Sequence, residues 1–175
     1  KIVMLNGGEE DNNAFLFRDG YNATVEEKVG AGEWELVDDQ FVPGWDNAEA
    51  LTIFEQILVA NQNEVDAVFA ANDGLASSVI AALESAGIDP TAVPVSGQDA
   101  TQAGIQNVLL GKQTMSVYKP IAAEAAVGAQ VALALRAGED VTSLSGDFSI
   151  IGIDGEGKPT ESPDGVVPYI ALVPI

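Results

Sequence analysis

A chain of 175 residues with 47% apolar content is long enough for one domain with a real hydrophobic core, and its composition is neither that of a disordered chain nor that of a membrane protein. Twenty-seven acidic residues against seven basic ones give a formal charge of −20, which repels nucleic acid and anionic lipid, so a nucleic-acid partner is excluded. With no histidine and no cysteine, disulfides, thiolate zinc sites, thiol nucleophiles and an imidazole base are excluded as well.

The chain opens on a short apolar run, residues 2–5, that ends in Asn6-Gly7-Gly8, the pattern of a buried parallel strand feeding a loop. Phe17, Tyr21, Val25 and Val29 recur at four-residue spacing and predict a helix. Residues 35–42 read as a second strand, stopped by Pro43-Gly44. Asn47 then serves as N-cap of a helix whose Leu51, Phe54 and Leu58 share one face. A third strand over 65–71 leads to a third helix over 75–86, closed by Gly87.

The alternation continues with a strand over 93–96, a helix over 101–110 ending at Gly111, a strand over 114–118 and an alanine-rich helix over 120–137. Strands alternating with helices imply right-handed crossovers and an α/β fold: an open, mostly parallel sheet with helices on both faces. The pattern then changes. Residues 148–153 and 169–173 read as strands flanking a Gly/Pro-rich loop over 154–168, as a hairpin or a pair of edge strands.

Each predicted strand of the alternating part ends in a polar or aromatic cluster: Asp11-Asn12-Asn13, Trp45, Asn72-Asp73, Gln98-Asp99 and Lys119. In open parallel sheets ligands bind beyond the carboxyl ends of the strands, so these five ends compose one candidate site. Carboxylates accept from hydroxyls, amides donate and accept, an ammonium donates, and an indole offers an apolar face. That mixture suits holding a polyhydroxylated molecule better than breaking a bond.

Residue type and spacing leave several of these positions with two readings. Asp99 precedes a helix, where a carboxylate serves equally as a cap or as a ligand contact. Asn72 and Asp73 share that ambiguity before the third helix, and Asp11 and Asn13 before the first. Trp45 is either a ligand-facing indole or a loop anchor, and Lys119 either a ligand contact or a solvated lysine. Asn12 reads as structural and Trp34 as packing beside the second strand. No G-x-S-x-G elbow, P-loop, dinucleotide fingerprint or metal-ligand cluster is present. An enzyme would have to use Asp11 and Asp99 as an acid/base pair.

Four segments carry a family likeness: Gly8-Glu9-Glu10-Asp11-Asn12-Asn13-Ala14, Phe69-Ala70-Ala71-Asn72-Asp73, Ser96-Gly97-Gln98-Asp99-Ala100 and Met115-Ser116-Val117-Tyr118-Lys119-Pro120. In order and spacing the chain resembles the sugar-binding proteins of bacterial ABC importers, closest to the xylose-binding branch of the type I periplasmic binding proteins. The likeness is to the carboxyl-terminal half only.

The resemblance implies a periplasmic-binding-protein-like I single lobe over residues 1–119. Residues 120–140 are then a helix that packs on an amino-terminal lobe missing from these residues, and 141–175 are final strands returning to the first lobe. It implies Asp11, Asn13, Trp45, Asn72, Asp99 and Lys119 as ligand contacts, with Asp73 as a cap or as support for Asn72. The implied partners are a monosaccharide, an ABC permease in the membrane and the missing lobe. No cofactor or metal is implied. The location is periplasmic or extracytoplasmic with the signal peptide removed, held by a lipid anchor if the source is Gram-positive. The ligand-sensing domain of a repressor or of a sensor, which shares the two-lobe fold, is the alternative.

Overall fold

A computed structural model describes residues 1–119 and 121–139. The predicted strands at 148–153 and 169–173, and the loop between them, lie outside the described residues. The described residues divide into two compact units, the first running from Lys1 to Tyr118 and the second beginning at Lys119.

In the first unit, β1 (Ile2–Asn6), β2 (Leu36–Phe41) and β3 (Ala67–Ala70) form a parallel ladder in the order β2-β1-β3. Central β1 is buried along its whole length, which is why it reads as an uninterrupted apolar run. It pairs Ile2 with Ala67 through Leu5 with Ala70 on one side. On the other it pairs Ile2 with Leu36 and, after an irregularity in register, Val3 with Asp38 through Asn6 with Phe41. β2, an edge strand among the described residues, carries Asp38, Asp39 and Gln40, charge and polarity of the kind that protects an edge.

Alternation along the strands assigns a helix layer to each face. Val3, Leu5, Val68 and Ala70 join one buried cluster with Phe54 and Leu58 of α2 (Asn47–Ala60) and Leu75, Val79 and Leu83 of α3 (Asp73–Ser85). Each fully buried valine, leucine or phenylalanine among them contributes about 1.5–3 kcal/mol relative to exposure. Phe69, the residue between Val68 and Ala70, turns to the opposite face. There Tyr21 of α1 (Asn12–Gly30) stacks on it with ring centroids 5.4 Å apart, and Trp34 leans on it at 6.3 Å. Burial pushes the Tyr21 hydroxyl up to about 12.

Several boundaries differ from the sequence expectation for identifiable reasons. The N-cap of α2 is Asp46 rather than Asn47: its carboxylate accepts from the N–H groups of Ala48 (2.7 Å) and Glu49 (3.1 Å). Asp46→Ala is therefore expected to cost about 1 kcal/mol, read as a lower urea midpoint at unchanged slope. Of the predicted apolar face of α1, Val25 is buried, Phe17 and Tyr21 are half-buried and Val29 is exposed. The helix covers its face of the sheet with tilted aromatics more than with a continuous aliphatic stripe.

The predicted strands at 93–96 and 114–118 are reduced to single parallel bridges, Val68 with Val95 and Gln98 with Val117. Pro94 has no N–H to donate, and Val95 N donates to the Thr114 hydroxyl oxygen (3.1 Å) instead of a backbone carbonyl. The order of the sheet nevertheless continues through them. Val68 N donates to Pro94 O (2.9 Å), Thr114 N to Val95 O (2.8 Å) and Val117 N to Gly97 O (3.0 Å). Between Gln98 and Val117 the chain forms α4 (Gln102–Leu109), capped by the Thr101 hydroxyl, which accepts from Gly104 N (3.0 Å).

The second unit contains α5 (Ile121–Ala137), with Arg136 in its last turn and with Ile121, Leu133 and Leu135 exposed. Among the described residues no helix is long and apolar enough to cross a membrane.

Candidate functional site

The parallel topology sets the carboxyl ends of β1, β2, β3 and the bridge at Val95 along one edge of the sheet, and the loops and first helical turns that leave that edge carry Asp11, Asn13, Trp45, Asn72 and Asp99. Leaving β1, the chain turns through Gly7 and Gly8 to Asp11, the N-cap of α1, whose carboxylate accepts from Asn13 N (2.9 Å). One Asp11 oxygen is thus committed to the helix while the residue stays half-buried, and Asn13 is exposed. The β1 end is pinned from below by Asn6, which is fully buried and donates through Nδ2 to Asp39 Oδ1 (2.7 Å) and Gln40 O (3.2 Å). Arg18 closes this corner with two nitrogens on the Asp39 carboxylate, Nε lying 2.9 Å from Oδ2, and with its guanidinium over the Phe41 ring. Hydrogen bonding to Asp39 raises the pKa of Arg18 further above its ordinary value.

Trp45 ends a 3₁₀ turn, Pro43–Trp45, in which Gly44 (φ 64°) and Trp45 itself (φ 54°) both adopt left-handed backbone. For a bulky side chain that conformation is a genuine outlier. The indole is held by its contacts: a Cβ built on Gly7 would lie 2.0 Å from Trp45 Cζ2, and Phe17 meets the ring edge-on with centroids 6.5 Å apart. Gly7 is therefore the gap in which the indole sits. The residue is half-buried and also packs against the main core.

After β3 the two polar residues take distinct roles. Asn72, not Asp73, caps α3, its side-chain oxygen accepting from Leu75 N (2.8 Å). The half-buried Asn72 keeps its Nδ2 group to donate elsewhere. Asp73 is 1% exposed and accepts four hydrogen bonds. Oδ1 receives Gln113 Nε2 (2.8 Å) and the Ser116 hydroxyl (2.7 Å), and Oδ2 receives the Thr101 amide (2.8 Å) and hydroxyl (3.1 Å). A buried carboxylate is tolerated when its lone pairs are filled in this way. Glycines border it closely: a Cβ on Gly97 would lie 2.5 Å from Oδ1, and one on Gly104 2.1 Å from Oδ2.

Asp99 does not cap α4, since Thr101 does. It is half-buried, with φ at 100°, and Ala100 follows at φ 50°. Two consecutive non-glycine residues in left-handed backbone cost on the order of 1–3 kcal/mol each and persist only where surrounding structure holds them. Lys119 opens the second unit, half-buried, its carbonyl accepting from Ile121 N (2.8 Å). Among the described residues no group of three acidic side chains is arranged to hold a metal ion.

Residues 1–140 match the model of the periplasmic binding protein domain. The chain belongs to the periplasmic binding protein family. Among curated relatives, the D-xylose-binding periplasmic protein of Escherichia coli (strain K12) is 43% identical over 137 residues, covering 78% of this chain and 41% of the relative. A solved ABC transporter periplasmic solute-binding protein from Actinobacillus succinogenes 130z, with bound D-allose, superposes with a TM-score of 0.66 at 25% identity, over 79% of this chain and 47% of that one. A carbohydrate transporter solute-binding protein from Chloroflexus aurantiacus, in complex with D-glucose, reaches a TM-score of 0.70 at 24% identity, over 79% of this chain and 48% of that one, and speaks to fold. These family members are binding proteins of the type I fold, an open parallel sheet with helices on both faces. The chain spans about two-fifths of the length of the curated relatives it matches first.

The network around Asp73 and the seat of Trp45 on Gly7 were not found from the sequence. A polar signal existed in Gln113 and Ser116, which fall within a predicted strand and its approach, but nothing local linked them to Asp73.

Proposed function

We propose that the chain is the carboxyl-terminal lobe of the solute-binding component of an ABC-type sugar importer, holding a xylose-like aldose without catalysis. One observation carries the reading. In a chain 43% identical to a D-xylose-binding protein over the matched residues, the Asp99 loop is held in strained left-handed backbone at the carboxyl edge of the sheet, with the capping role given to Thr101. Strain of this kind is kept where a side chain must be presented in one direction.

Asp99 then accepts from sugar hydroxyls. Asn72 donates through its amide, Asp11 and Asn13 supply further polar contacts from the β1 end, and Trp45 sets an apolar face against the ring C–H groups. Lys119, at the step into α5, donates to the sugar or to a neighbouring carboxylate. The exposed Ile121, Leu133 and Leu135 of α5 support its packing on an amino-terminal lobe, which supplies the other half of the contacts. Closure of two such lobes over the sugar signals the ABC permease in the membrane. The protein works in the periplasm or, in a Gram-positive source, outside the membrane on a lipid anchor.

Calorimetric titration of the full-length protein with an aldose panel led by D-xylose and D-glucose tests this. Selective binding without turnover is expected. Asp99→Ala is expected to weaken it by about tenfold to a hundredfold, the scale of lost hydrogen bonds to a charged group. No binding to any aldose, or turnover of the sugar, would sink the proposal.

A further inference from the structure

The ligand contacts proposed above leave out the most deeply buried ionisable side chain near them. Asp73 lies under the loop that carries Asp99, and the bonds of that loop run to it. The three consecutive amides of Asp99, Ala100 and Thr101 donate in turn to Val117 O (2.8 Å), the Ser116 hydroxyl oxygen (2.9 Å) and Asp73 Oδ2 (2.8 Å).

The Ser116 hydroxyl that accepts from Ala100 N donates its own hydrogen bond to Asp73 Oδ1, and the Thr101 hydroxyl that accepts from Gly104 N donates to Asp73 Oδ2. Both hydroxyls are therefore oriented by one carboxylate. Gln113 completes the arrangement by bridging Asp73 Oδ1 and Met115 O (2.8 and 2.9 Å), which ties the approach to Ser116 and Val117 to the same anchor.

A carboxylate is the side chain this geometry requires. Each of its oxygens accepts two bonds, whereas the isosteric amide would present two hydrogens to one pair of donors. The two left-handed residues sit between the anchored amides, so the conformation that aims Asp99 depends on two side chains buried beneath it, Asp73 and Ser116.

We infer that Asp73 is a positioning residue for the ligand site: through Thr101 and Ser116 it holds the Asp99–Ala100 backbone in its left-handed conformation and so fixes the direction from which Asp99 meets the ligand. The inference rests on the sugar-binding reading for its consequence, but not for its geometry.

The test uses the full-length protein with Asp73→Asn, Ser116→Ala, Asp99→Ala and the Asp73→Asn/Asp99→Ala double variant. Amide hydrogen exchange is read at residues 99–101 and, as an internal standard, at Val3 to Leu5 of β1. Aldose affinity is measured alongside.

Asp73→Asn is expected to speed exchange at residues 99–101 by about tenfold or more relative to β1. It is expected to weaken aldose binding by a similar factor, yet to weaken it by less than about twofold when Asp99 is already alanine, because both changes then act on one contact. A merely structural role would slow or speed exchange equally in β1 and would add fully to Asp99→Ala. Either result, or unchanged exchange at 99–101, overturns the inference.

Should Asp73→Asn fail to fold, Ser116→Ala carries the test. Faster exchange at Ala100 with β1 unchanged supports the inference, and no change there overturns it. If Asp99→Ala binds sugar normally, Asp99 is no contact and the inference is overturned while the sugar reading stands; if the full-length protein binds no aldose while Asp73→Asn loosens the loop, the sugar reading falls and the positioning of the loop stands. If Asp99→Ala weakens binding and Asp73→Asn loosens the loop without weakening it, the positioning role falls and the sugar reading stands.

Discussion

Gly104→Ala is expected to destabilise the protein by about 3 kcal/mol or more, reversing the gain of about 1 kcal/mol that the same exchange gives in an ordinary helix interior. Gly104 lies in the first turn of α4, where alanine is the better helix former. Its Cα, however, abuts the buried carboxylate: the new methyl would lie 2.1 Å from Asp73 Oδ2 and 2.3 Å from Cγ. A flexible surface side chain would swing away at little cost. Asp73 cannot, because its oxygens are fixed by Gln113, Ser116 and Thr101 and its far side is closed by Gly97, where a Cβ would lie 2.5 Å from Oδ1. Either α4 shifts, at the usual price of an overfilled core, or the carboxylate leaves its donors, at about 1.5–3 kcal/mol for each bond to a charge that is lost. Urea unfolding decides the sign: a midpoint lowered at unchanged slope supports the wedge, and a raised midpoint refutes it.

What the sequence disclosed and what it hid divide along the distance over which residues act. β1, α2 and α3 were legible because a buried central strand and a one-sided helix write their environment into a local period, as Leu51, Phe54 and Leu58 do. Caps were legible only to within a residue: Asp46 and Asn47, or Asn72 and Asp73, are neighbours of similar chemistry, and which of them caps depends on backbone angles no pattern encodes. Apolar content predicts full strands around Val95 and Val117, but each keeps a single bridge, and at Val95 the missing donor of Pro94 is the local reason.

The candidate site was legible as a set of strand ends, since parallel topology alone brings the loops after β1, β2 and β3 to one edge. Its supports were not. Asp73 meets Thr101, Gln113 and Ser116 across separations of 28, 40 and 43 residues, and nothing near any of them announces the others.

Gly7→Ala is expected to cost about 2–3 kcal/mol and to displace Trp45 from the site, whereas Gly8→Ala beside it should stay within about 0.5 kcal/mol. Both glycines are crowded: a Cβ on Gly7 would meet three indole atoms at 2.0–2.2 Å, and one on Gly8 would meet Glu10 Oε1 at 2.0 Å. The difference lies in what can yield. Glu10 is exposed, and the atom in the way is the tip of a flexible side chain. Trp45 is a rigid bicycle on a left-handed residue, backed by the core and met edge-on by Phe17, so it moves only as a whole and with its turn.

The readout is indole fluorescence of residues 1–175 in a Trp34→Phe background, which leaves Trp45 as the one tryptophan of this stretch, together with aldose affinity in the full-length protein. A shifted Trp45 emission and weakened binding for Gly7→Ala, with Gly8→Ala unchanged in both, would assign the indole to the sugar face. A shifted emission with unchanged affinity would make Trp45 an anchor of the loop and remove it from the contacts, while an unshifted emission would mean that the indole does not rest on Gly7.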